Sequence, residues 1–120
     1  MTAQQPSPRD VVRGLEEGSS DVRAAVLLDD RGAVAAHAGA DATRAGALAE
    51  HAIALLKGAD AAAGPGRVDR MEVSRPDGGV FAVRAPARGW TLVVVSMAGA
   101  LGSLVLYDMR MALAGLGAGR

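Results

Sequence analysis

The residues able to do chemistry are few, and each has a plainer use. His37 and His51 are the only histidines in a chain without cysteine. Their separation matches no metal-ligand spacing, and no thiolate is available to complete a site. His37 falls in a strand that should point it to solvent, and His51 at the margin of a helix's polar face. Asp29-Asp30 is a carboxylate pair that could hold a cation or relay a proton. It is followed by Arg31-Gly32, however, and Asp favours such a tight turn because its side chain bonds nearby backbone amides. Ser19-Ser20 reads as a turn, while Ser74 and Ser96 end strands. None stands in a G-x-S-x-G elbow. The glycine-rich piece Gly58 to Gly66 lacks the Lys-Ser/Thr end of a phosphate loop, and no G-x-G-x-x-G follows a strand. Arg67, Arg70, Arg75, Arg84 and Arg88 gather around one region. They form either a basic strip for an acidic partner or solvated edges that block stray strand pairing. The expectation is no catalytic residue, no cofactor and no metal, and a role in binding.

The elements that would carry these residues can be read from capping and periodicity. Ser7, Pro8 and Asp10 form a helix start, with Ser7 as N-cap and Asp10 where a capping-box acid belongs. Val11, Val12 and Leu15 make its apolar stripe and Gly18 ends it. Val22 to Leu28, with only Arg23 charged, is a strand buried on both faces. After the Asp29–Gly32 turn, Ala33 to Ala38 returns as a small-residue strand. Asp41 caps a long helix to about Ala63. Its core stripe is Ala45, Leu48, Ala49, Ala52, Leu55, Leu56 and Ala59, and its polar face is Arg44, Glu50, Lys57 and Asp60. Ile53 sits among those polar neighbours without an obvious partner. Gly64-Pro65-Gly66 stops the helix. Arg67 to Ser74 alternates with a slip at 69–70, so its start is late or bulged. Pro76-Asp77-Gly78-Gly79 turns into Val80 to Ala85, closed by Pro86. Ala87-Arg88-Gly89 turns again into Trp90 to Ser96, and a last helix runs to about Leu116.

This order predicts an α+β fold, αββαβββα, with a five-stranded antiparallel sheet. Val22–Leu28 and Trp90–Ser96 should be central and Arg67–Ser74 an edge. The long helix should cover one face, the first and last helices the other. Residues 1–7 are expected to form a flexible tail, 8–116 a single domain and 117–120 a frayed end.

Composition narrows the partners. The chain has 120 residues, 26 of them Ala and 16 Gly, with Phe81, Trp90 and Tyr107 as its only aromatics. Thirteen basic residues balance thirteen acidic ones, which argues against nucleic acid, whose phosphates need a basic excess. Three aromatics provide no ladder for stacked bases. The charge split, −3 before residue 61 and +3 from it, is too mild to choose a partner. Near-zero net charge favours self-association. The Ala, Gly and Arg bias fits a GC-rich bacterial gene. Absence of cysteine and of a basic, apolar leader fits the cytoplasm. Gly89 to Tyr107 holds nineteen uncharged residues, the lower limit for a membrane helix. The β-branched run Trp90–Val95, the break at Ser96–Ala100 and the helical spacing from Leu101 split it into a strand and a helix instead.

Four stretches together resemble the Roadblock / dynein-light-chain family, in its bacterial branch of small-GTPase regulators. They are Ala24–Val34 around the Asp-rich turn, the Ala/Leu-rich helix Asp41–Leu56, Gly78-Gly79-Val80-Phe81-Ala82-Val83, and Leu104-Val105-Leu106-Tyr107-Asp108-Met109-Arg110. They span roughly residues 8 to 116, and the weight lies in their order and spacing. One departure is Ser103 where the family usually has Gly before the closing-helix motif. The resemblance implies a Roadblock, profilin-like fold and no catalytic residues. It implies a homodimer joined through the third strand and the long helix, at Val68, Met71, Val73, Leu48, His51, Ile53 and Leu55. A Ras-like GTPase is expected on the paired long helices, around Arg44, Glu50 and Lys57. The alternative is a structural or signalling scaffold that assembles with a sensor kinase or larger complex, indifferent to nucleotide state. A small-ligand sensor would need a polar-lined pocket, for which the sequence offers no set of residues.

Overall fold

The structure, a computed structural model, describes residues 6–85 and 89–117. Most of the expected tail (1–5), the Pro86–Arg88 turn and residues 118–120 lie outside the described residues. The order is α1 (Pro8–Gly18), β1 (Val22–Leu28), β2 (Val34–Ala38), α2 (Ala42–Ala63), β3 (Arg70–Arg75), β4 (Gly78–Arg84), β5 (Thr91–Ser96) and α3 (Gly102–Gly117).

Local chemistry sets these boundaries. The capping box at α1 is complete: Ser7 Oγ accepts from the Asp10 amide at 3.2 Å, and the Asp10 carboxylate accepts from the Ser7 amide at 3.1 Å. The Ser7 amide above all, with the Ser7 hydroxyl, holds the Asp10 carboxyl below the usual carboxylate range. Asp29 closes the β1–β2 turn, accepting from the amides of Arg31 (2.9 Å) and Ala33 (3.0 Å), which likewise lowers its pKa, the Ala33 bond most. Gly32 sits at φ +82° in that turn, a conformation side chains disfavour. Asp41 caps α2 by accepting from the Arg44 amide at 2.8 Å.

The strands form one antiparallel sheet in the order β2-β1-β5-β4-β3. The two most apolar strands, β1 and β5, occupy its middle, as their two-sided burial requires. On one face α1 and α3 pack through Val12, Leu15, Val105, Met109 and Leu113 onto Ala25, Leu27, Phe81, Leu92 and Val94. On the other, α2 packs Ala45, Ala49, Ala52 and Leu56 onto Val26, Leu28, Ala82 and Val93. The uncharged run from Gly89 divides into β5 and α3, and no helix among the described residues is long and apolar enough to cross a membrane.

Some boundaries differ from the sequence reading. The third strand begins at Arg70, because the Val68 amide donates to the Asp60 carboxylate at 2.7 Å instead of joining the ladder. The fourth begins at Gly78, whose pairing with Arg75 leaves only Pro76 and Asp77 in the turn. Val34 and Thr91, each one residue later than expected, start the second and fifth strands. Leu55, counted in the core stripe, is 49% exposed. The buried line of α2 runs through Ala52 and Leu56, and Leu55 lies one step around the helix from it.

Candidate functional site

The β3 edge is the first feature. Among the described residues β3 pairs only with β4, so its outer backbone groups face no strand. Its side chains alternate. Met71 and Val73 stand opposite Ala82 and Val80 on the α2 face, whereas Glu72 stands opposite Phe81 on the other.

Helix α2 does not cover this strip. It starts beside the end of β2, and its last turn reaches Arg84 at the end of β4 and Val68 through Asp60. Arg84 binds the Asp60 carboxylate through both terminal nitrogens, at 2.9 and 3.1 Å, and donates to the Val68 carbonyl at 3.0 Å. The Asp60 carboxyl is held below its ordinary pKa, first by the Val68 amide and then by Arg84. Sequence reasoning placed Asp60 on the solvated face of α2 and Arg84 among surface arginines. In fact they form a clasp between helix and sheet, with the Arg84 side chain 11% exposed. Only the late start of β3 hinted at it.

The expected seam residues are brought together in part. Val68, Met71 and Leu48 are half-buried against the α2-side core with Val80. Val73 and Leu55 are exposed, as is His51. Ile53 lies elsewhere, beside Gly32 of the β1–β2 turn, and is half-buried there. Arg44, Glu50 and Lys57 are all exposed. His37 is exposed and its Nδ1 lies 2.8 Å from the Ala40 carbonyl, within the β2–α2 link.

A second surface was missed. Met97, Leu101, Leu104, Tyr107 and Met111, on α3 and its approach, are each between 44% and 60% exposed. The i, i+3, i+7 spacing of Leu104, Tyr107 and Met111 was the available signal: α3 is apolar on its outer as well as its inner stripe. Beside it, an open groove of about 510 Å³ runs between α1 and α3, with Gly14, Gly18, Tyr107, Met111 and Gly115 along it and Asp10 and Asp108 as its carboxylates. Asp10 is committed to its cap. No group of three or more His, Asp or Glu converges as a metal site among the described residues.

A five-stranded antiparallel sheet with one helix on one face and two on the other is the Roadblock, profilin-like α+β fold. No family model matches the sequence, and no curated protein matches it. Solved structures do. A Roadblock/LC7 domain from Streptomyces avermitilis superposes with a TM-score of 0.78 at 25% identity, covering 89% of this chain and 92% of that one. The gliding protein MglB from Thermus thermophilus gives 0.68 at 23% identity over 97% and 91%. Profilin IB from Acanthamoeba castellanii gives 0.68 at 18% over 95% and 100%. The architecture that the four sequence stretches implied is therefore the one observed.

Proposed function

We propose that the chain is a non-enzymatic, homodimeric regulator or adaptor of a Ras-like small GTPase, acting in the cytoplasm. The observation that supports this most is the unpaired β3 edge flanked by the partly exposed apolar strip of Met71 and Val73. A two-fold axis normal to the sheet beside the β3 edge would pair the two strands antiparallel, satisfy the open backbone groups and bury that strip against its own copy. It would also set two α2 helices side by side as a docking plate. Any effect on hydrolysis would come from reshaping the GTPase's switch loops.

Two measurements test the reading. Sedimentation at micromolar concentration should give about twice 12.1 kDa, and a monomer overturns it. Pull-down with a small GTPase encoded beside the gene should favour one nucleotide form, and equal capture of both overturns state-selective regulation. The exposed outer stripe of α3 favours a second reading, a scaffold that joins a sensor kinase or larger complex through that stripe. In that case capture is independent of nucleotide.

A further inference from the structure

At the end of the sheet where α2 begins, three arginines from three elements border one groove: Arg23 of β1, Arg44 of α2 and Arg75 of β3. Its apolar lining comes from Ala24, Leu48, Val80 and Val95, and its volume is about 120 Å³. We propose that this groove seats an acidic segment of a partner protein, with aspartate or glutamate carboxylates held by the three guanidiniums. The proposal rests on the docking reading above and states the chemistry of what docks.

Two of the arginines are placed there by features that stability alone does not call for. The β1–β5 ladder passes from Val22–Ser96 to Ala24–Val95, leaving Arg23 without a partner. Such a bulge re-aims a side chain. The end of β2 seals it: Gly39 has φ +77°, and a Cβ there would fall 2.1 Å from the Arg23 carbonyl oxygen. Only glycine permits that approach. Arg44 occupies the first turn of α2, where the helix dipole disfavours a cation, and the adjacent Asp41 carboxylate caps the Arg44 amide without forming an ion pair with its guanidinium. Neither Arg23 nor Arg44 has an ion-pair partner among the described residues. Arg75 pairs with Asp77, but both side chains are more than half exposed, and such pairs are weak enough to exchange.

A neutral chain thus concentrates positive charge over an apolar floor. Three exposed arginines converging on one groove raise the local positive potential and draw in an anion. Guanidinium forks match carboxylates bidentately, and the apolar lining suits the hydrocarbon part of a peptide. The volume fits a side chain or two. The groove has no aromatic to stack a base, which disfavours nucleic acid.

The test uses the full chain and a fluorescein-labelled octaglutamate peptide, with octaglutamine as control, read by anisotropy at low and high salt. Octaglutamate should bind at low salt and octaglutamine should not. The double variant R23A/R44A, and the milder R44Q, should weaken binding, the double by about tenfold or more, as expected for two charge-assisted pairs. Arg13→Ala, which alters an arginine outside this groove, should leave it unchanged. Far-UV circular dichroism confirms that the variants fold. Equal binding by wild type and R23A/R44A overturns the proposal, and so does an equal loss in R13A. Displacement of the peptide by inorganic phosphate at an ionic strength where chloride does not displace it marks a small-anion site, and arginine-dependent binding to phosphatidylserine vesicles without octaglutamate binding marks a lipid site. A monomeric R23A/R44A would show that the arginines hold the second copy instead. Each of these three results also overturns it. Because no GTPase is present, failure of the GTPase pull-down would leave this result standing, and the reverse holds too.

Discussion

The two faces of the sheet are finished in different ways. On the α1/α3 face two helices bring bulky side chains, Val12, Leu15, Val105, Met109 and Leu113, and cover the sheet from β2 to β4. On the α2 face a single helix approaches on three alanines, with Leu56 as its only large, fully buried side chain. One helix cannot span five strands, so the β3–β4 border stays open on that side. The surfaces left over therefore differ in kind. The α2 face exposes sheet and an unpaired strand edge, which can extend a ladder. The α3 side exposes only the back of a helix, whose own backbone bonds are satisfied. A continuous sheet can grow from the first surface and not from the second.

The sharpest way to break this contrast is to weaken the sparse face. Leu56→Ala should cost roughly 2–5 kcal/mol, the range for truncating a fully buried leucine. It should also release α2 ahead of global unfolding, because little else large holds the helix. Met109→Ala, equally buried on the other face, should cost a similar amount without freeing α3 separately. Hydrogen exchange separates the two outcomes: equal protection of α2 and α3 amides in the two variants would show that the alanine interface holds α2 unaided.

Next in size is the seam. Val73→Asp places a carboxylate on the strip that the dimer would bury. An unpaired buried charge costs roughly 3–5 kcal/mol, so the dissociation constant should rise at least about a hundredfold, with Met71→Lys behaving alike. Sedimentation equilibrium checks this. Unchanged mass in both variants would move the contact away from β3.

How much of this was legible depended on whether the signal was local. The capping box at Ser7–Asp10, the Asp29 turn and the Asp41 cap are set by residues within four positions of each other, and the sequence placed all three. The strand order followed from which runs were apolar on both faces. The clasp did not. Asp60 and Arg84 are joined only when α2 lies across the sheet, and in sequence each looks like an ordinary surface charge. That Ile53 lies beside Gly32 was hidden for the same reason, since the two belong to separate elements. The outer stripe of α3 was readable as a second apolar periodicity but was hidden by the larger question of a membrane span. The arginine groove needs a bulge and three separate elements, and no linear pattern announces it.

The clasp gives a pH-dependent version of the comparison. The Asp60 carboxyl has a lowered pKa, so its stabilising bonds are present above the ordinary aspartate value of about 4. They are lost as pH falls through the lower folded value. Asp60→Asn still accepts from the Val68 amide but gives up the charge. Its melting temperature should lie below that of wild type at neutral pH, and the gap should close in acid. A gap that stays constant with pH would mean that the charge contributes nothing and that α2 is held by packing alone. Asp10 and Asp29, also lowered by backbone donors, stay intact in both proteins and cancel from the difference.

The smallest effect is expected from the outer stripe of α3. Leu104 and Met111 are 53% and 56% exposed, so replacing both with Gln should change stability by no more than about 0.5 kcal/mol each. The dimer mass should also stay the same, because a helix back has no open backbone groups to offer a twin. A small result here carries weight, since it separates two exposed apolar surfaces that area alone would rank the other way. If Leu104→Gln/Met111→Gln yields monomers while Val73→Asp does not, exposed area rather than an unpaired edge chooses the interface. The β3 border would then be free to receive a strand from a different protein.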